Sequence, residues 1–310
     1  MKRKLTRRAF LASTAGLGAA ALATEPKVAS RIIDTHTHFY DPTRPEGVPW
    51  PTPGTPLYRP VYPKDWLELA SPHGIRETVV VEASKLVEDN DWILRLAEKE
   101  KCIVGFIGHL EPMQPGFENH LKRLARNPLF RGVRMGGSLL MDHEKPEYRS
   151  ALKLMASLDL TLDVNGLRDP SLVDKIASAM PDLRIVIDHC GNCGDPRQLK
   201  PEWKSGMKAA AARPNVWCKV SALAEMVQNV QGNAPDDCNF YAPILDHLWQ
   251  CFGPEKVVFG SNWPVSDKGA SFATVFKIVS DYFSAKGKEA CEQYFWKNSL
   301  RAYKWIERGA

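Results

Sequence analysis

Outside its first 23 residues the chain carries no excess of charge of either sign. Lys2, Arg3, Lys4, Arg7 and Arg8 all precede the first acidic residue, and removing these five from the 41 Lys and Arg leaves 36 against 36 Asp and Glu. A balanced body lacks the clustered cations that a phosphate backbone requires, which sets nucleic acid aside as a partner. Long apolar runs are also missing: Ala9 to Ala23 covers 15 residues, where a membrane span needs about 20. No other run reaches that length. No Gly-x-Gly-x-x-Gly turn follows the first Ile-rich run, so the mark of an open dinucleotide-binding sheet is absent. Cysteine is sparse and odd in number, seven in all, unlike the dense even pattern of a small disulfide scaffold. Cys190 and Cys193 form one Cys-x-x-Cys with no second pair to complete a zinc set, and read as two thiols on a loop.

The N-terminus is a basic region, an Ala-rich apolar stretch and a small-residue cleavage site at Ala21-Leu22-Ala23, the layout of a secretory signal. Within it Thr6-Arg7-Arg8-Ala9-Phe10-Leu11 resembles the twin-arginine signal, read by a translocase that carries folded proteins. Residues 1–23 are therefore expected to be a twin-arginine-type signal peptide and 24–30 a linker. The mature chain would then be periplasmic or otherwise exported, with the twin-arginine translocase as a transient partner and no stable membrane association after cleavage.

From residue 31 onward, short Ile- and Val-rich runs alternate with helix-like stretches, the rhythm of repeated βα units. Eight runs are expected as strands: Arg31 to His38, Glu77 to Ser84, Cys102 to His109, Arg131 to Gly136, Leu160 to Asn165, Leu183 to His189, Val216 to Ser221 and Lys256 to Asn262. Amphipathic helices are expected over Trp92 to Lys101, Phe117 to Arg126, Tyr148 to Ser157, Leu172 to Met180 and Tyr241 to Cys251. Eight strands with helices between them imply one α/β domain over 31–310, a single (β/α)8 TIM barrel, the size of which is typically about 250 residues. Between Phe39 and Trp66 lie eight prolines, interleaved with Tyr40, Trp50, Tyr58 and Tyr62. This stretch cannot be regular helix or central strand, and is expected to cover the barrel mouth.

Residues two apart on a strand share a face, and barrel enzymes carry their chemistry at the C-terminal strand ends. Asp34, His36 and His38 therefore read as one face of the first strand, two imidazoles with a carboxylate one layer deeper. His-x-His on a strand suits a divalent metal, and equally suits two hydrogen-bonded barrel histidines. Alternation along the sixth strand brings His189 to the same height and turns Asp188 outward. The remaining strands end in Glu82, His109, Arg134, Asp163 and Asn165, Lys219 and Ser221, and Asn262, which together describe a polar cup. Arg134 and Lys219 could hold a substrate carboxylate or a developing oxyanion, or could pair with Glu82 or Asp163. Asn165 reads as a substrate donor or a turn residue before Gly166, and His109 as a core or supporting group.

Four strings in order, Ile32 to Phe39 (IIDTHTHF), Ile187 to Gly191 (IDHCG), Val216 to Ser221 (VWCKVS) and Val257 to Val265 (VVFGSNWPV), resemble the amidohydrolase superfamily. More narrowly they are similar to its amidohydrolase-2 branch, which includes fuconolactonase-like and dicarboxylate-lactone hydrolases. The resemblance covers residues 31 to 306. It implies a metal-dependent-hydrolase-like (β/α)8 barrel, hydrolysis of cyclic esters, and one divalent metal, zinc or manganese, or none. His36 and His38 match the family's first-strand pair, His189 its sixth-strand histidine, Lys219 its seventh-strand lysine, and Arg134 an arginine found on strand four. Many members read Gly-Ser-Asp-Trp-Pro on the eighth strand, where this chain has Asn262. An amide takes no proton from water and gives no charge to a metal, so metal binding is expected to be weakened or lost.

The expected activity is opening of a sugar-acid or related carboxylated lactone by activated water. His36, His38, His189 and Asn262 stand as the catalytic set, with His36, His38 and His189 as the metal ligands where one binds. Glu82, Arg134, Asn165 and Lys219 stand as the substrate-binding set. Without metal the base falls to His189, His36 or Glu82, the histidines being preferred. Two other readings stand beside this one: a decarboxylase of the same family, and a barrel that binds its small-molecule ligand without turning it over.

Overall fold

Strands buried on both faces should be apolar throughout rather than alternating, and the Ile- and Val-rich runs of this chain fold accordingly. The structure, a computed structural model, describes residues 28–230 and 232–308. The expected signal peptide, residues 1–23, lies outside the described residues, as does 24–27 of the expected linker. Residues 28–30 are fastened to the barrel, with Ser30 N and Oγ donating to Glu292.

Eight parallel strands, β1 (Ile33–Thr37), β2 (Glu77–Val81), β3 (Ile103–Gly108), β4 (Phe130–Gly136), β5 (Thr161–Asn165), β6 (Arg184–Ile187), β7 (Val216–Val220) and β8 (Val257–Phe259), pair in sequence order. Beyond β8 the chain meets β1: Asn262 N donates to His36 O at 2.8 Å and His38 N to Trp263 O at 2.9 Å. These bonds bring the two sheet edges together as a nearly closed barrel.

The helices are α1 (Pro63–Ala70), α2 (Val87–Lys99), α3 (Phe117–Leu124), α4 (Gly137–Leu140), α5 (Pro146–Ser157), α6 (Ser171–Ala179), α7 (Pro201–Ala211), α8 (Cys238–Phe252), α9 (Phe272–Ala285), α10 (Lys288–Glu292) and α11 (Asn298–Tyr303). Two begin three or more residues earlier than hydrophobic periodicity alone indicates. Helix α2 gains a turn at its start, where Glu88 and Asp89 complement the helix dipole. Helix α8 is capped by Asp237, whose side chain accepts from Asn239 N.

The barrel interior is filled by Ile33, Val79, Val81, Val104, Ile107 and Val258, with Tyr303 and Trp305 closing the end away from the site. A second apolar layer joins strands to helices; in it Phe283 of α9 stacks on Tyr294 with ring centroids 3.5 Å apart. The Pro-rich stretch ends one helix start sooner than expected, because Pro63 opens α1 at its first turn. Tyr40 and Val61 pair antiparallel at its base, and Tyr40 Oη donates to Leu57 O. The loop is thus pinned at both ends against the rim.

Between β4 and β5 the backbones approach too closely for a side chain: a Cβ on Gly132 would lie 2.2 Å from Thr161 O. Because that neighbour is backbone, it cannot rotate away. Gly132→Ala is expected to destabilise the fold by about 1–3 kcal/mol, read as a lowered thermal midpoint. An unchanged midpoint would show that the β4/β5 contact is looser than described.

Candidate active site

The C-terminal strand ends surround a cavity of about 530 Å³ whose lining includes His38, Glu82, His109, Arg134, His189 and Asn262. Pro49 and Trp50 of the Pro-rich loop form one side, so that loop does border the mouth. Of its aromatics, Trp50 is the one that lines the cavity, with its ring 6.0 Å from His38. Tyr58 is exposed and Tyr62 donates to Asp41.

Strand β1 does not alternate cleanly. Its pairing with β2 shifts between Asp34 and Thr37, and the slip separates Asp34 from the histidines. Asp34 accepts from Trp66 Nε1 of α1 and from Ser261 N, so it braces the strand from the helix side rather than lying one layer beneath His36. His36 and His38 do face inward, rings 4.9 Å apart, and the His189 ring lies 4.5 Å from that of His36.

Asp188 is where the expected phase of alternation fails: Val186, not Ile185 or Ile187, belongs to the interior cluster. Strand β6 ends at Ile187, and His189 and Cys190 both take left-handed backbone angles, φ 53°, a conformation that non-glycine residues enter rarely. Asp188 is itself extended and two residues beyond Val186 of the interior cluster, so alternation carries it inward, fully buried, with Oδ1 2.9 Å from Lys219 Nζ and 3.6 Å from His36 Nδ1, and the left-handed turn brings His189 round beside it. It is a member of the site and not an outward structural residue.

Lys219 has no exposed surface and lies beneath the cup. Its ammonium donates to Asp163 Oδ2 at 2.8 Å and meets His36 Nδ1 at 3.2 Å. The contact to Asp188 is an ion pair off the hydrogen-bond direction, since Asp188 has no aligned donor among the described residues. A substrate carboxylate would not reach this ammonium; the pairing with Asp163 accounts for it. Burial disfavours charge on Lys219, yet Asp163 and Asp188 outweigh it and raise its pKa. Burial also works against Asp188, but the Lys219 charge and His36 hold that carboxyl well below the ordinary range. Asp163 is pushed up to about 7 by burial, with Lys219 opposing. The pair thus holds one firm negative charge and one readily protonated carboxyl.

Burial drives all three site histidines toward the neutral form: His36 well below its usual value, His38 to about 3 and His189 to about 4. His38 Nδ1 faces the carbonyls of Val81 and Glu82 at 3.0 and 3.1 Å, so that nitrogen holds its proton and Nε2 its lone pair. His189 Nδ1 bonds Ser221 Oγ at 2.9 Å. Arg134 binds Glu82 through Nε and Nη2, the pairing that competes with a substrate role, and still lines the cavity. His109 also lines it, with Nδ1 4.0 Å from Glu82 Oε1. Asn165 sits at the rim, shared with an adjoining cleft.

The cluster suited to a metal differs from the expected three histidines. His36, Asp188 and His189 offer ligand atoms all within 4.8 Å of one another, while His38 stands to the side with Nε2 toward Asn262. Within that cluster His36 Nε2 and both Asp188 oxygens are buried without a hydrogen-bond partner among the described residues. Orphaned imidazole and carboxylate atoms in one place fit a divalent cation.

Glu225 is a site residue that the sequence reading missed. It lies in the segment after β7 and its Oε1 accepts from Asn262 Nδ2 at 2.7 Å. Burial pushes its carboxyl up to about 7. Nothing in the local pattern marks it, because a lone Glu in a loop has no periodicity to betray it. Cys190 and Cys193 are buried thiols, and burial raises Cys190 to about 12, which suits packing.

Removing the shared cation should be costly. Lys219→Met leaves Asp163 and Asp188 facing each other unpaired in the interior, and is expected to destabilise the fold by about 3–5 kcal/mol in denaturant titrations. Adding Asp163→Asn should recover part of that loss, and a single variant as stable as the parent would contradict the cluster described.

Comparison with known proteins agrees with this architecture. The amidohydrolase family model matches residues 33–305. An L-fucono-1,5-lactonase of Burkholderia ambifaria is 31% identical over 247 residues, covering 77% of this chain and 82% of that one. An amidohydrolase of Burkholderia multivorans superposes with a TM-score of 0.81 in a form with bound HEPES and 0.79 in a form with bound zinc, at 21% and 22% identity, each over 89% of this chain and 100% of that one. A probable 2-pyrone-4,6-dicarboxylic acid hydrolase of Acinetobacter baumannii, solved with citric acid, gives 0.71 at 18% identity over 89% and 100%. With the family model spanning nearly the whole barrel, the chain belongs to the amidohydrolase family.

Proposed function

We propose that this hydrolase opens a carboxylated lactone of about monosaccharide size at the C-terminal mouth of its barrel. The observation that carries the reading is the juxtaposition, on one cavity, of a neutral buried imidazole, His189, with a guanidinium, Arg134. Hydrolysis of an ester needs a base for water and a positive group for the oxyanion. The lactone-directed names of relatives, a fuconolactonase and a pyrone-dicarboxylate hydrolase, support the substrate class.

The chemistry follows from the hydrogen bonds. His189 Nδ1 bonds Ser221 Oγ, and in the tautomer with the proton on that nitrogen the Nε2 lone pair is free to take one from water. As a water oxygen bonds to the lactone carbonyl carbon, His189 takes the water's proton and the carbonyl π electrons move onto oxygen. Arg134, oriented through Nε and Nη2 by Glu82, faces that oxyanion with the rest of its guanidinium. Collapse breaks the ring C–O bond, and the departing ring oxygen takes the proton back from His189. Trp50 and Asn165 border the same cavity and would meet the sugar face and a ring hydroxyl. A divalent metal, zinc or manganese, held by His36, Asp188 and His189 would engage that His189 lone pair, and when bound would supply a water of lowered pKa in place of the imidazole base.

Acid release from a panel of sugar-acid lactones and lactones with a second carboxylate, followed with a pH indicator, tests the reading. Turnover of one member is expected, with His189→Ala lowering kcat/KM by about 100-fold or more and Arg134→Ala lowering it for every lactone that turns over, with or without a second carboxylate. No turnover across the panel, with and without added zinc or manganese, would overturn the proposal.

A further inference from the structure

Glu225 and Asn262 meet at the edge of the cup in an arrangement that carries two settings. Asn262 stands at the barrel seam with φ 62°, its backbone fixed by bonding to His36 O. Its amide is therefore left to rotate about the side chain alone. Nδ2 donates to Glu225 Oε1 at 2.7 Å, and Oδ1 stands 3.4 Å from His38 Nε2. Since His38 Nδ1 keeps its proton for the Val81 and Glu82 carbonyls, Oδ1 and Nε2 face each other as two acceptors. Turning the amide over would put an N–H against Nε2. That setting leaves Oδ1 against Glu225, which an ionised carboxylate repels and a carboxylic acid satisfies by donating.

We propose that Glu225 is a positioning residue that sets which end of the Asn262 amide faces the cup: as a carboxylate it draws Nδ2 away and leaves an acceptor toward His38, and as an acid it binds Oδ1 and leaves a donor there. The carboxyl that the eighth strand lacks is thereby supplied from the segment after β7, acting through the amide and not touching substrate. Its catalytic consequence rests on the lactone reading above, because a donor at that place can hold a carbonyl or ring oxygen and an acceptor can hold a water.

The surroundings favour a carboxyl that changes state near neutrality. Glu225 Oε2 is buried with no partner among the described residues. The neighbouring charges are Asp267, which raises the pKa, and Lys268, which lowers it, both on the turn Val265–Lys268. Tyr241 of α8 and Cys190 are the other titratable groups that sense Glu225, and burial keeps both neutral. Gly269 holds this segment close: a Cβ there would meet the Ala224 carbonyl carbon at 2.4 Å and Glu225 N at 2.5 Å. Burial, the largest influence, places the carboxyl at about 7.

The test reads the amide itself. In the full chain carrying 15N-labelled asparagine, the Asn262 side-chain NH2 resonances, assigned by their loss in Asn262→Asp, are followed over about pH 5.5 to 8.5, a range that brackets a carboxyl raised to neutrality. A shift with a midpoint of about 7 that disappears in Glu225→Gln is expected, together with loss of the matching inflection in the pH profile of kcat while KM changes less than about twofold. Flat resonances in the parent chain, which needs no variant to fold, or the same titration in Glu225→Gln, would overturn the proposal. A titrating amide in a chain that opens no lactone would sink the lactone reading and leave this one standing.

Discussion

The site depends on one buried ammonium. Lys219 on β7 touches Asp163 on β5, Asp188 beyond β6 and His36 on β1, so a single side chain ties together four of the eight staves at one level. Taking these charges out of water is expensive, and an ion pair in the interior is weak evidence for net stability. Its structural value lies elsewhere. An uncompensated carboxylate here would cost far more than the pair, so any rearrangement that pulls β1 or β6 away from β7 is opposed, and the His36 and His189 rings are held in register. Tyr303, whose hydroxyl donates to Asp163, extends the same network down to the plug of the barrel.

That ammonium also sets the protonation of the cup. With Lys219 against Nδ1, His36 carries its proton on Nε2 when metal-free, pointing an N–H at the place where His36, Asp188 and His189 converge. A cation held through Nε2 would need the proton on the other nitrogen, where Lys219 stands at 3.2 Å and Asp188 at 3.6 Å. The same four residues therefore serve a proton or a metal by moving one hydrogen across a ring, and the charge of Lys219 weighs against the second arrangement.

Much of this was legible in the chain before any coordinates. Ile- and Val-rich runs place all eight strands within a few residues, because parallel strands covered on both sides leave a continuous apolar signature. The inward pair His36 and His38, and the option of Arg134 pairing with Glu82 and Lys219 with Asp163, follow from strand ends alone. What period-two reasoning loses is what happens where strands stop being regular. A register slip sends Asp34 to the helix side, and left-handed residues after β6 bring His189 round to the inward side that Val186 and Asp188 already share. Glu225 is invisible for a different reason: its importance arises from a contact 37 residues along the chain, in a segment with no repeat to read.

Those irregularities share a location. The backbones just beyond β6, β7 and β8 pass through left-handed angles at His189, Ala222 and Asn262, conformations that cost energy and persist only where packing determines them. Each turns the chain at the cavity floor, where a further turn of regular strand would carry the side chain past the cup. At 262 the requirement narrows the choice of residue, since Asn and Asp tolerate this region better than most side chains. Between those two, Asp would set a second carboxylate 2.7 Å from where Glu225 now accepts a hydrogen bond, and like charges at that distance cannot both ionise. Asn at 262 and Glu at 225 are thus one solution rather than two substitutions: the strand end keeps its backbone shape, and the charge that it gives up reappears on a neighbour that can gain or lose a proton without touching the substrate.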